Sequence, residues 1–375
     1  MKTVTSSRDS ALLPYLAGVH SFPEVTNKIL TDPDRFFELA IERASSVDGK
    51  MSLAQTTTLP PKDSIRARCT QKALSAQQSW LYHLRSIWLF TKSDLKTIII
   101  PKTIFGVLNA IAAPLYGIHT GVPLKPYAIL LAAFWVWINL LPFVIDNQRR
   151  PESIKEDRQN KPWRTMPSGR MTEKQARAVM FTLYPLAFLL SVIIGGWRSS
   201  LALMAFGFWY NDLGGAGGVF TKNFINACGF CCFAFGAMEV ALAVPLPLSP
   251  RLVNWILVIA ATVFTTVQTQ DLPDQEGDRL CGRKTVPLAI GDYKTRIATA
   301  FFMVIWSLFC PFYWHTPAPL FFIFASLGVL IGGRSLFKRD VRDDEITFKL
   351  WNGWMALLYA LPFLTYISQR AYAPL

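Results

Sequence analysis

The sequence predicts an all-α integral membrane protein of nine transmembrane helices, and three observations carry that prediction. Hydrophobic residues make up 51% of the 375 residues, and they fall in long blocks. Nine of those blocks reach or approach the length that crosses the hydrocarbon core of a bilayer. The connections between them carry most of the charge, and they do so on alternate sides.

Residues 1–91 are mixed and polar and lack the apolar core of an export signal, so they are expected to form a cytosolic segment ahead of a membrane domain at 92–375. Within that segment DRFFELAIERA, 34 to 44, reads as an amphipathic helix. SWLYHLRSIWLF, 79 to 90, puts Trp80, Leu81, Leu84, Ile87 and Trp88 on one face, a stripe suited to the membrane interface. The nine apolar runs lie at 98–118, 127–146, 176–195, 199–213, 223–243, 252–270, 296–313, 318–333 and 350–368, the fourth and eighth being short.

Nine crossings place the connections after the second, fourth, sixth and eighth runs on the side of the N-terminus. Arg149, Arg150, Lys155, Arg158, Lys161, Arg164, Arg170 and Lys174 follow the second run, and Arg279, Arg283, Lys284, Lys294 and Arg296 follow the sixth. Arg334, Lys338, Arg339 and Arg342 follow the eighth. The opposite connections are short and nearly uncharged, so the basic side is expected to be cytosolic. A net charge of +13 distributed in this way suits an anionic substrate or the cytosolic membrane face, with no nucleic acid as partner. The six cysteines (Cys69, Cys228, Cys231, Cys232, Cys281 and Cys310) show neither disulfide nor complete zinc-ligand spacing and are read as packing residues.

Two charged connections carry candidate chemistry. In DLPDQEGD, Asp271, Asp274 and Asp278 stand at i, i+3 and i+7, one face of a helix, although Pro273 predicts a kink or break near Thr269 to Asp271. Three clustered carboxylates repel one another unless a cation is present, and hard oxygen ligands suit Mg²⁺. A solvated acidic turn is the simpler reading of this motif alone. The connection DNQRRPESIKEDRQNKPWRTMPSGR, 146 to 170, adds Asn147, Glu152, Glu156, Asp157 and Asn160, with Glu152, Glu156 and Asn160 at i, i+4 and i+8. Interleaved basic residues let the same loop bind phosphate oxygens. An even number of spans separates the two loops, so both are expected at one membrane surface.

With its two motifs in this order and on this side, the chain resembles the UbiA superfamily over residues 92 to about 368. That resemblance implies nine helices around a central pocket and two acidic loops that bind a prenyl diphosphate through Mg²⁺. It implies metal-ligand roles for Asp271, Asp274 and Asp278. The first motif departs from the family pattern: aligning it from Asn160, Lys161 and Pro162 puts Asp157 on the last family aspartate and Ser153 on the middle one. Asn147 then remains a metal ligand, and Glu152 or Glu156 takes over the missing carboxylate. The altered loop, with WLFTKSDLKTIIIPKT at 88 to 103 and YNDLGGAGG at 210 to 218, is similar to the fungal membrane-bound terpene cyclases of that superfamily. Their chemistry implies ionisation of a prenyl diphosphate, farnesyl by preference, and cyclisation to a sesquiterpene in the endoplasmic reticulum membrane, with the active-site loops facing the cytosol. The alkene product would pass to downstream pathway oxidases. The alternative is transfer of the prenyl group to an aromatic or other acceptor.

For the diphosphate, the expected ligands are Lys161, Arg164, Arg170, Arg283 and Lys284, with Tyr210, Asn211 and Lys222 approaching from the connection between the fourth and fifth runs. Glycine-assisted packing is the competing account of that connection, and no Gly-Lys-Ser/Thr follows to make it a Walker loop. Asn109 needs a partner in hydrocarbon and is expected to face the interior, where the family places a polar head-group residue. Phe206, Phe208 and Trp209, with Phe224, Phe230, Phe233 and Phe235, are candidates for an aromatic wall that shapes a carbocation. Aromatic density is also ordinary in membrane cores. Glu239 is expected to make a structural hydrogen bond far from the metals, and the four histidines share no ligand spacing.

Overall fold

A computed structural model describes residues 79–120, 124–280 and 282–371, and among them there is no β-strand. The amphipathic stretch at 34 to 44 lies outside the described residues. The helices are α1 (79–91), α2 (Ile100–Ile111), α3 (Ala128–Gln148), α4 (Pro151–Asn160), α5 (Glu173–Ile194), α6 (Trp197–Asn211) and α7 (Val219–Leu242). They continue as α8 (Pro250–Thr266), α9 (Gln275–Leu280), α10 (Val286–Ile290), α11 (Asp292–Tyr313), α12 (Ala318–Phe337) and α13 (Val341–Ala371).

Every apolar run is helical, and among the described residues six helices are long and apolar enough to cross a membrane: α3, α5, α7, α8 with its extension to Gln270, α11 and α12. The eighth run, short in the sequence, extends to the 20 residues of α12. The fourth stays short, since the 15 residues of α6 rise about 22 Å against a hydrocarbon core of about 30 Å. The first run is divided, with a π-helical turn at Leu95–Ile99, then α2, then a 3₁₀ turn at Ala113–Tyr116. The last, α13, carries Asp343, Asp344 and Glu345 in its opening turns, which lowers its apolar content.

Local signals set the boundaries. Thr172 and Gln175 form a reciprocal capping box at the start of α5, and Ser249 caps α8 ahead of Pro250. α7 packs against α2, α3, α6 and α8. Where α2 crosses it, a side chain at Gly106 would stand 2.7 Å from Ala237, so only glycine permits that approach. Glu239 accepts the backbone N–H of Gly196 at 2.9 Å, which ties α7 to the α5–α6 turn in the structural role its depth predicts. At the other end Arg296 forks onto buried Asp344 at 2.7 and 2.6 Å, joining α11 to α13.

Candidate active site

Elements distant in sequence meet at one end of the bundle. The α8 helix tightens into a 3₁₀ turn at Val267–Gln270, stops at Asp271, and restarts as α9 beyond Pro273. The aspartates therefore do not share one continuous helix: Asp271 ends the 3₁₀ turn, Asp274 lies in the turn after it, and Asp278 sits in α9. Proline's missing N–H and its ring explain the break.

In α4 the buried face runs through Ser153, Glu156 and Asp157, while Glu152 is exposed. Of the i, i+4, i+8 set, Glu156 and Asn160 face α9 and Glu152 alone lies off the buried arc. α4 and α9 pack directly on each other. A Cβ at Gly277 would lie 2.5 Å from Asn160 Nδ2 and 3.3 Å from Glu156 Cγ.

Arg283 binds both loops, with Nη1 at 2.6 Å from Glu156 Oε2 and 3.3 Å from Asp278 Oδ1. Lys222 at the start of α7 donates to Asp271 Oδ1 at 2.7 Å, and both side chains are buried. Arg164 bonds both oxygens of Asp157 at 2.9 and 3.0 Å and reaches Ser93 at 3.1 Å. Lys161 stands 3.9 Å from Asp274. Asn147 donates to Asn211 at 3.0 Å, joining the ends of α3 and α6. Tyr210 packs its ring on Phe143 and lies within electrostatic reach of Arg283.

Burial pushes the Asp271 and Glu156 carboxyls above the ordinary carboxylate range, against the pull of Lys222 and Arg283 respectively. Arg283 is itself held above its usual value, because Glu156, Tyr210 and Asp278 together outweigh its burial. Among the described residues, no three His, Cys, Asp or Glu groups converge on a ready-made metal cage. Each carboxylate is instead held by a cation. Yet Asp271 Oδ2 and Asp278 Oδ2 are buried without a hydrogen-bond partner, although buried anionic oxygens ordinarily have one. Hard, orphaned carboxylate oxygens are the donor set that Mg²⁺ takes, so the residues fit that ion.

Several expected contributors lie elsewhere. Arg170 holds α1 instead, through Tyr82 O at 3.0 Å, Ser86 Oγ at 3.1 Å and the Tyr82 ring at 4.0 Å. Lys284 is exposed. Asn109 is consumed deep in the bundle, where it donates to the carbonyls of Phe105 and Tyr359 at 2.9 Å each and accepts from the Tyr116 hydroxyl. An amide in hydrocarbon must find partners, and its helix and α13 supply them. Phe208 is exposed on an outward stripe with Leu201, because α6 turns Ser200, Gly207 and Asn211 inward. Phe206 is half-buried, and Trp209 packs on the exposed Phe224 at 6.1 Å. Phe105, Phe230, Phe233, Trp351 and Tyr359 are among the aromatics that are buried instead.

Sequence reasoning missed three neighbours. Ser93 and Asp94 enter beside the first loop, where burial raises the Asp94 carboxyl against Arg164 and Lys161. Lys102 is fully buried inside the first apolar run. Its signal was a lone cation in an otherwise apolar stretch.

The chain matches the model of the UbiA prenyltransferase family over residues 151–358, more than half its length, and it belongs to that family. It is 28% identical to the fumagillin beta-trans-bergamotene synthase of Aspergillus fumigatus, covering 78% of this chain and 96% of that one. It is also 28% identical to somaliensene A/B synthase of Streptomyces somaliensis, over 74% of this chain and 92% of that one. A polyprenyl transferase of Hericium erinaceus is 27% identical over 70% of this chain and 88% of its own. Among solved structures, a UbiA homolog from Archaeoglobus fulgidus bound to DMAPP and Mg²⁺ superposes with TM-score 0.50 at 13% identity. That superposition covers 73% of this chain and 98% of that one, a likeness of fold.

Proposed function

We propose that the protein is a Mg²⁺-dependent, membrane-bound terpene cyclase that ionises a prenyl diphosphate, preferably farnesyl diphosphate, and closes the cation to a sesquiterpene, with a bergamotene-type skeleton the first candidate. The observation that carries this reading is the junction of the two acidic loops. Arg283 bridges Glu156 and Asp278, Lys222 holds Asp271, and two buried carboxylate oxygens are left without partners.

In this reading Asp271, Asp274, Asp278, Glu156, Asp157 and Asn147 hold Mg²⁺, which supplies charge neutralisation for the leaving diphosphate. Lys222, Arg283, Arg164 and Lys161 are paired with those carboxylates in the ligand-free chain and turn to the diphosphate oxygens when it binds. The allylic C–O bond breaks with its electron pair leaving on the diphosphate. Buried cations and a dry interior stabilise that separation more than water does. Nine membrane crossings, a domain boundary near residue 92, an endoplasmic reticulum location and cytosol-facing loops belong to the same proposal. The basic connections support the orientation.

Cyclisation is favoured over transfer by the two relatives at 28% identity, both named as terpene synthases. The transferase relative supports the second reading, in which an acceptor captures the same cation. Membranes carrying the protein, given farnesyl diphosphate and Mg²⁺ alone, separate the two. Cyclic hydrocarbon supports the cyclase; donor consumed only after an aromatic acceptor is added moves the chain to the transferases.

A further inference from the structure

The cyclase reading leaves one buried ionisable group without a task. Lys102 of α2 is fully buried, and its amine lies 3.6 Å from the centre of the Phe230 ring and 4.4 Å from that of Tyr359. Its hydrogen-bond partner is the Tyr359 hydroxyl, and Phe105 closes the cage edge-on to Tyr359. Among the described residues no carboxylate lies within ion-pair distance of it.

Its position is informative. Eight residues of α7 separate Lys222 from Phe230, a rise of about 12 Å. The amine therefore stands that far into the bundle from the Lys222–Asp271 pair, on the apolar side where a prenyl tail anchored by its diphosphate would fold. A lysine in hydrocarbon is costly and seldom kept for packing alone.

A group at that depth is placed to end a cyclisation. Once the ring has closed, the carbocation must lose a proton, either to the released diphosphate at the charged end or to a base beside the folded tail. The amine is the group on the tail side. The cage suits an acceptor in both of its forms. The Tyr359 hydroxyl can donate to the lone pair of the amine or accept from the ammonium, and the two ring faces stabilise the ammonium. With no carboxylate to hold a proton permanently, the nitrogen is free to take one up and give it back.

Resting on the cyclase reading, we infer that Lys102, poised by Tyr359 against the Phe230 face, is the base that ends the reaction. A C–H bond next to the cationic carbon breaks, and its electron pair becomes the new C=C bond. The proton joins the lysine nitrogen. After the hydrocarbon leaves, water entering the emptied pocket carries the proton away, and no electron donor or acceptor is required.

The test uses the full chain in nanodiscs with farnesyl diphosphate and Mg²⁺, reading released diphosphate and hydrocarbon in the same reaction. In Lys102→Met the yield of the unmodified protein's own alkene per diphosphate released should fall at least tenfold, with prenyl alcohols or alkenes of shifted double bond in its place. Lys102→Arg keeps a positive charge but cannot accept a proton, so it should behave as Met does. Tyr359→Phe conserves volume, keeps the lysine and should shift the product pattern less. It serves as the reading variant if Lys102→Met fails to give a monodisperse elution peak. An unchanged ratio and product pattern in the lysine variants, or in Tyr359→Phe where it alone folds, overturns the inference while leaving the cyclase reading intact. Absence of any hydrocarbon from the unmodified protein overturns the cyclase reading itself, and the inference with it.

Discussion

Gly277→Ala adds a single methyl group where α9 meets α4. That methyl would lie 2.5 Å from Asn160 Nδ2 and 3.3 Å from Glu156 Cγ, so one neighbour must retreat. Overpacking a close contact costs about 1–3 kcal/mol. The low end applies, since the Asn160 amide is the far end of a side chain and can rotate. Glu156 Cγ then has to give a few tenths of an ångström, on a carboxylate whose oxygen is 2.6 Å from Arg283. Roughly 1.4 kcal/mol lost from the metal-bound geometry corresponds to about a tenfold rise in the Mg²⁺ concentration for half-maximal diphosphate release. The assay is a Mg²⁺ titration of diphosphate release by the purified protein. Asn160→Ala removes the closer obstacle, so the double variant should recover most of the loss, a coupling expected of residues in contact. An unshifted Mg²⁺ curve for Gly277→Ala would falsify the claim that the packing of these two loops sets metal affinity.

Four other outcomes follow from the same geometry. Asp271→Asn leaves Lys222 buried without its anion, a loss of about 3–5 kcal/mol for a broken buried pair, and diphosphate release should fall by about 10²–10⁴. Removing Mg²⁺ with a chelator should abolish release, and adding it back should restore it without refolding. Phe208→Ala, on the outward stripe of α6, should leave the product pattern unchanged, whereas Phe230→Ala should alter it; gas chromatography of the products reads both. Arg296→Met strips the fork from buried Asp344 and should lower the thermal midpoint markedly while the Mg²⁺ curve of the folded fraction stays in place.

Much of this architecture was legible in the sequence because its causes are local. Length and apolarity mark the runs, Pro273 marks the break in α8, and alternation of charge marks the loops that meet. The choice of Glu156 over Glu152 was not legible. A helical repeat states which residues share a face, but the arc that turns inward is fixed by Gly277 and Arg283, which lie more than a hundred residues away. Asn109 shows a related difficulty. Its need for partners was plain, yet Tyr116 and the Tyr359 carbonyl satisfy it far from the charged end. Phe208 reads as pocket or lipid face equally well until the orientation of α6 is known. Lys102 was hidden because a single lysine hardly lowers the hydropathy of an apolar run, and only its neighbours reveal a cage.

The central claim is tested most directly by gas chromatography of volatiles from membranes carrying this protein, supplied with farnesyl diphosphate and Mg²⁺ and no acceptor, beside an Asp271→Asn control. A cyclic sesquiterpene that disappears in the control is the predicted result. Intact donor and no hydrocarbon, with turnover starting only when an aromatic acceptor is added, would contradict the account.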